Sequence, residues 1–333
     1  MTILAFGGEM GFFIPSDANS FEATANLHGG GIGGYDPSFA RCYTKAYGPS
    51  AYAETPNVGA QSGLWVHMCI DQGSYTTADS NLDRLVEFID AGGIAQLRLT
   101  ASWNGTWQLE KWTGSAWSAL GSCTANSQGL QTLDIHIISN SASGSVDLYM
   151  SGTKRIASGA VNLSGFSGIA KLRCYGVSRG ISSDCAYSQV VLATETTIGM
   201  CVGTIVMTGQ GATHTFDVGG YANINELAYS DATFDQSGTA GQIELFTGTP
   251  VPSFTGCTIR ALAVTARAKT DGSAPTKLDL ALKSGATIYY SADETLDFGY
   301  GGYCAVWETN PATGSAFQPS EISALQYGVK SVT

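Results

Sequence analysis

Charged side chains are scarce in this sequence. Asp, Glu, Lys and Arg make up 13% of its 333 residues, about half the ~25% of an ordinary soluble domain, so most of the surface has to be Ser, Thr, Asn, Gln and Gly. Basic residues are the scarcest: 16 Lys and Arg against 27 Asp and Glu leave a net charge of −11, with no basic run anywhere. A phosphate backbone would be repelled rather than neutralised, which argues against nucleic acid as a partner. No stretch of 18 apolar residues exists, so no helical membrane insertion is expected. The opening MTILAFGGEMGFFIPS has no basic segment ahead of its apolar residues, and the expectation is synthesis in a cytoplasm without a signal peptide.

Metal and nucleophile signatures are missing too. The cysteines are Cys42, Cys69, Cys123, Cys174, Cys185, Cys201, Cys257 and Cys304, and the nearest two, Cys174 and Cys185, lie eleven positions apart. That spacing excludes CxxC zinc ribbons and thioredoxin-like motifs. Two readings stay open: free thiols buried in strands, and cross-links, including links between subunits, formed once the protein meets an oxidising medium. His28, His67, His136 and His214 are far apart, and none has a second His or a Cys at metal-ligand spacing. His67 and His136 alternate with apolar neighbours and read as core or interface side chains. No GxSxG elbow occurs, and no dense acidic loop of the calcium-binding kind is visible. No metal or other cofactor is expected.

Glycine, by contrast, is abundant at 42 residues, without the G-x-y period of collagen, so it signals many tight turns. The cluster GGGIGGYDPSF, Gly29 to Gly34 and onward, reads as a surface loop. No helix pattern follows it and no Lys-Ser/Thr pair closes a phosphate-binding loop.

Between the turns the apolar period is two. LWVHMCI alternates Trp65, His67 and Cys69 with Val66, Met68 and Ile70, as a strand buried on both sides does. LVEFID and IAQLRLTAS, joined by Ala91, Gly92 and Gly93, form a hairpin signal. A short helix is the alternative over 80–90, since Ser80 and Asp83 are spaced like a capping box; the Gly-Gly turn favours strand. GTWQLEKWTGSAWSALGS and SVDLYMSGTKRIASG are two further hairpins, with TLDIHIIS, AKLRCYGVS and YSQVVLA as additional strands. Strands at short intervals without long amphipathic helices predict an all-β antiparallel sandwich. The pattern restarts near Gly199, which places a domain boundary there: residues 1–198 and 199–333 form two tandem β-sandwich domains. The second contains IELFTG, CTIRALAVTARAK, KLDLALKSGATIYYSADETLDFG and YCAVWETNPATG as period-two segments, with a short helix in SEISALQYGV capped by Ser320.

Few residues suggest chemistry. Glu87 and Asp90 are the nearest carboxylate pair, but on a strand a spacing of three puts them on opposite sides, and Asp90 falls in a turn; both read as solvated charges rather than a glycosidase pair. Trp103, Trp107, Trp112 and Trp117 are candidate ligand-binding residues, because flat aromatic faces stack on sugar rings. Trp107 and Trp112 have opposite parity on one strand, so one of them faces the core.

LVEFIDAGGIAQLRL, GTWQLEKWTGSAWSALGS and LDIHIISNSASGSVDLYMSGTKRIASG follow, in this order, the strands of the concanavalin A-like (laminin G-like) jelly rolls of tailed-bacteriophage virion proteins, which the first domain resembles. VVLATETTIGM, SDATFDQSGTAGQIELF and WETNPATGSAFQPSEISALQYGVKSV resemble a segment that often follows such jelly rolls in phage tail, neck or decoration proteins. The resemblance implies a non-enzymatic structural component of a virion, with other virion proteins and copies of itself as partners and host surface polysaccharide as a further contact. A carbohydrate-binding module of the lectin or adhesin type is the alternative, and a glycan hydrolase a third class.

Overall fold

The computed structural model describes residues 2–7, 12, 14–15, 21–24, 43–47, 50–72, 81–102, 104–125, 129–139, 141–177, 184–225, 231–249 and 258–333. The loop Gly29–Gly34, His28, Cys42, Trp103 and Cys257 lie outside these residues. Two compact units separate: Met1–Glu9 with Pro15–Val202, and Met10–Ile14 with Gly203–Thr333.

In chain order the strands are β1 (Ile3–Gly7), β2 (Ile14–Pro15), β3 (Phe21–Thr24), β4 (Tyr43–Tyr47), β5 (Tyr52–Glu54), β6 (Gly63–Gln72), β7 (Asp83–Asp90), β8 (Ala95–Ala101), β9 (Thr106–Trp112), β10 (Trp117–Thr124), β11 (Gly129–Ile138), β12 (Ser145–Met150), β13 (Thr153–Ala157), β14 (Ile169–Tyr175) and β15 (Asp184–Ala193). An eight-stranded sheet runs β13-β12-β11-β6-β15-β4-β3, with β1 also on β15, and a seven-stranded sheet runs β10-β9-β8-β7-β14-β5-β2. The chain is all-β, and residues 83–90 form a strand paired with β8 rather than a helix. Gly93, at φ +82°, supplies the left-handed residue that the β7–β8 turn requires.

Alternation decides which side chains meet. Leu64, Val66, Met68 and Ile70 of β6, Leu133, Ile135 and Ile137 of β11, and Val146 and Leu148 of β12 are all buried, as are Val86, Phe88, Leu97, Leu99, Trp107, Leu109, Leu172 and Cys174 from the seven-stranded sheet. Each Val, Leu, Ile, Phe and Met side chain among them contributes about 1.5–3 kcal/mol by leaving water. Tyr187 of β15 ties the sheets together: its hydroxyl lies 2.9 Å from the carbonyl oxygen of Leu85 and 2.6 Å from that of Tyr175. Where β10 and β13 approach, a side chain at Gly121 would meet Ile156 at 2.6 Å, so only glycine fits.

The second unit contains β16 (Met207–His214), β17 (Ile243–Gly248), β18 (Leu262–Ala268), β19 (Lys277–Ser284), β20 (Thr287–Tyr290), β21 (Glu294–Thr295), β22 (Gly301–Trp307), the helix α1 (Pro319–Ile322) and β23 (Gln326–Val332). A sheet ordered β16-β17-β23-β19-β20, with β21 on β19, packs against the two-stranded β18-β22. Leu278, Leu280, Val264 and Tyr303 form one buried cluster, and Leu282, Phe317, Ile322 and Leu325 another. The expected cap is corrected here. Gln318 precedes the helix, Pro319 opens it and Ser320 lies inside its first turn. The Gln318 amide donates to Glu321 Oε2 at 2.8 Å, and proline suits a first position whose N–H would have no partner.

Candidate functional site

Because side chains alternate, the seven-stranded sheet turns every second residue of its strands away from the apolar core. On that far side the strand registers align one row across five strands: Glu110 of β9 opposes Arg98 of β8, Arg98 opposes Glu87 of β7, Glu87 opposes Arg173 of β14, and Arg173 opposes Glu54 of β5. The charges alternate along the row. Directly opposed pairs of opposite sign stabilise a sheet by about 0.2–1 kcal/mol each. The bonds are direct: Arg98 Nε donates to Glu110 Oε2 at 2.5 Å, and Arg173 Nε to Glu54 Oε1 at 2.6 Å, while Lys171 Nζ donates to Glu54 Oε2. Glu87 accepts from Arg84 Nη1 at 3.0 Å and from the Tyr175 hydroxyl at 2.5 Å. Burial, and then this bond to Glu87, hold the Tyr175 phenol well above its ordinary range.

Aromatic rings stand at both ends of the row. Trp112 and Trp117 are directly opposed on β9 and β10, tilted 55° with centroids 5.4 Å apart. Arg98 sits 4.4 Å over Trp117. At the other end Arg173 sits 4.7 Å over Tyr52, and Arg84 lies 3.6 Å over Tyr175. Exposure separates the two charge types. The Arg84, Arg98, Lys171 and Arg173 side chains are 23–35% exposed, whereas those of Glu87 and Glu110 are 6–8% and that of Glu54 is 17%. The cations form the outer layer, with Tyr52, Trp112 and Trp117 half-buried beside them, while Tyr175 and the carboxylates lie beneath and orient the cations.

Several expectations change in this light. Glu87 and Asp90 are not solvated turn charges. Both are buried, and Asp90 accepts from the Gly92 and Ile94 amides at 2.9 Å each and from Gln96 Nε2 at 2.7 Å, which closes the β7–β8 turn. Of the tryptophans, Trp107 is fully buried in the core, its indole N–H without a hydrogen-bond partner among the described residues, while Trp112 and Trp117 stand together on the polar face. Sequence reasoning missed Glu54, Arg84, Arg98, Glu110, Lys171, Arg173, Tyr52 and Tyr175. The available signal was the charged residue flanked by apolar neighbours in LRL and KLRCY, in a chain otherwise poor in charge.

The other candidates play structural parts. His67 is buried with its Nδ1 2.9 Å from Asp134 Oδ1, the same oxygen that accepts from Thr197 Oγ1 at 2.8 Å. His136 is half-buried and stacked on Trp65, centroids 4.3 Å apart at 13°, and this burial lowers its pKa. His214 Nδ1 lies 2.5 Å from Oε2 of the fully buried Glu244. Cys69, Cys123 and Cys174 carry free thiols, and burial pushes that of Cys69 up to about 12. Cys185 is buried, Cys304 half-buried and Cys201 exposed.

No family model and no curated protein matches the sequence. Among solved structures the chain is similar to the alginate lyase Aly36B (12% identity, 57% of this chain, 97% of that one, TM-score 0.37) and to the galectin LEC-6 of Caenorhabditis elegans (16% identity, 44% of this chain, 94% of that one, TM-score 0.30). It is also similar to the sialidase of Trypanosoma rangeli (17% identity, 46% of this chain, TM-score 0.34), spanning 25% of that chain's length. The expectation of a non-enzymatic protein is corrected by this comparison, since a lyase and a sialidase, both enzymes, stand among the similar structures beside a lectin.

Proposed function

We propose that the chain binds glycan on the polar face of its seven-stranded sheet. One observation carries this reading: the five-strand row Glu110, Arg98, Glu87, Arg173, Glu54, with Trp117 at one end and Tyr52 at the other. A sugar ring has hydroxyls that both donate and accept, and an apolar C–H face that packs on aromatic rings. A surface of fixed charges with rings at both ends answers each of these features. Binding geometry here needs no induced order, because the guanidinium groups are already held by carboxylates below them, and that reduces the entropic cost of ordering side chains. With the sequence resemblance added, the form of this function is attachment of a tailed-phage particle to host surface polysaccharide.

The test is titration of the purified protein with a panel of neutral and acidic polysaccharides by affinity electrophoresis and calorimetry. The expected result is binding to at least one polymer that Trp117→Ala and Arg98→Ala each weaken about tenfold without changing the circular dichroism spectrum. Binding untouched by both substitutions would move the site off this face, and no binding at all would sink the reading.

A further inference from the structure

The same local arrangement occurs twice on this face. Arg98 donates through Nε to a carboxylate beneath it, Glu110, and lies over an aromatic ring, Trp117. Arg173 donates through Nε to Glu54 and lies over Tyr52. In both, the Nη1 and Nη2 donors have no hydrogen-bond partner among the described residues, and both side chains are about a quarter exposed. Arg98 and Arg173 oppose the same residue, Glu87, from its two sides. They are therefore two inter-strand steps apart, about 10 Å.

The carboxylates offer little to a ligand. Glu87 already accepts from Arg84 and Tyr175, Glu54 from Lys171 and Arg173, and Asp90 from two amides and Gln96. Although the chain as a whole is acidic, this face sets Arg84, Arg98, Lys171 and Arg173 over the less exposed Glu54, Glu87 and Glu110. What remains outward is a pair of planar donor forks, and the complement of such a fork is a planar acceptor with two oxygens. Arginine pairs with a carboxylate through two parallel N–H···O bonds, each charge-assisted, in a geometry that lysine lacks. The aromatic ring behind each guanidinium and the carboxylate below it keep the fork in place.

We infer that the glycan is an acidic one, a uronic-acid polymer whose carboxylates are taken by the terminal donors of Arg98 and Arg173, with about a disaccharide between them. This rests on the glycan-binding reading above and names its ligand class. The probes are polygalacturonate, polymannuronate, polyglucuronate and hyaluronan, each paired with its carboxyl-reduced form, and a set of neutral polysaccharides. The expected result is binding to at least one acidic polymer, about tenfold weaker after carboxyl reduction, weakened by added salt, and weakened severalfold by R98K and by R173K, which keep the charge and remove the fork. Equal binding of the acidic and reduced forms, or of neutral polymers alone, with Trp117→Ala still harmful, would overturn the acidic ligand and leave glycan binding standing. R98K and R173K proteins that bind as the parent does would overturn the arginine assignment. No binding to any acidic, reduced or neutral polymer would overturn both readings.

Discussion

The two large sheets of the first unit share one apolar interior and differ on their outer sides. On the seven-stranded sheet the outer side is a row of alternating charges whose cations reach solvent. On the eight-stranded sheet, the outer-facing His67, Cys69, Asp71 and Asp134 of β6 and β11 are buried. Thr197, itself buried, bonds Asp134 there, and the Val202 amide donates to Gln189 Oε1 at 3.0 Å, so the segment leaving β15 is fastened to this side. Polar residues thus serve opposite ends on the two sheets. Where each charge has a partner and an open side, the cations stay in contact with solvent. Where the charge is sealed, as at Asp134, it ties together side chains from distant parts of the chain, His67 and Thr197.

The comparison breaks most readily at Asp134. Replacing it by Ala removes the shared acceptor of His67 and Thr197 and leaves both buried without it, and we expect about 1–3 kcal/mol of lost stability for each of the two in urea denaturation, with glycan affinity of the folded fraction unchanged. A smaller loss follows at alkaline pH, again on the sealed side. Cys69 has a folded pKa raised from 9.0 to about 12 by burial, so the stability that its burial as a neutral thiol supplies is complete below about pH 9. That stability is lost as pH rises toward 12, because the unfolded chain ionises first. Urea midpoints at pH 8 and pH 10.5 should diverge in the parent more than in Cys69→Ala; equal divergence would assign the effect elsewhere.

On the open side the expectation reverses. Glu110→Gln should cost no more than about 1 kcal/mol of stability, because the pair it breaks is partly exposed, yet it should weaken glycan binding about as much as Arg98→Ala does, since Arg98 would lose its anchor. A glycan titration alongside a denaturation curve reads both at once. The smallest effect belongs to His136. Its pKa is lowered by burial against Trp65, so the folded state resists protonation and stability should fall slightly as pH drops below about 6.5. His136→Gln should flatten that slope, and an unchanged slope would point to another group.

Much of the fold is legible in the chain. The β7–β8, β9–β10 and β12–β13 hairpins follow from period-two segments and glycine turns, and the parity of Trp107 against Trp112 predicts that one of them is interior. Pairing in detail is not legible. Register shifts between Ala119 and Gly121 and between Leu148 and Tyr149 follow no local signal, because a bulge is decided by the partner strand as much as by its own. Ser320 failed as a cap for a similar reason: Gln318 and Pro319 were equally near in sequence, and the backbone bond to Glu321 chose between them.

The candidate site was legible only in its tryptophans. Its charged row joins residues from position 54 to position 173, contributed by strands that are neighbours in space and not in sequence. A local pattern can state that Arg98 and Arg173 point away from the core, and it cannot state that both oppose Glu87. By itself the sequence determined the strand period, the shortage of charge and hence an all-β chain with an uncharged polar surface, because these depend on neighbours two residues apart. The tertiary structure alone decided which few charges gather on one face and which are sealed beneath the chain's own backbone. Both depend on the order and register of strands, and these are set by the summed packing of the whole interior.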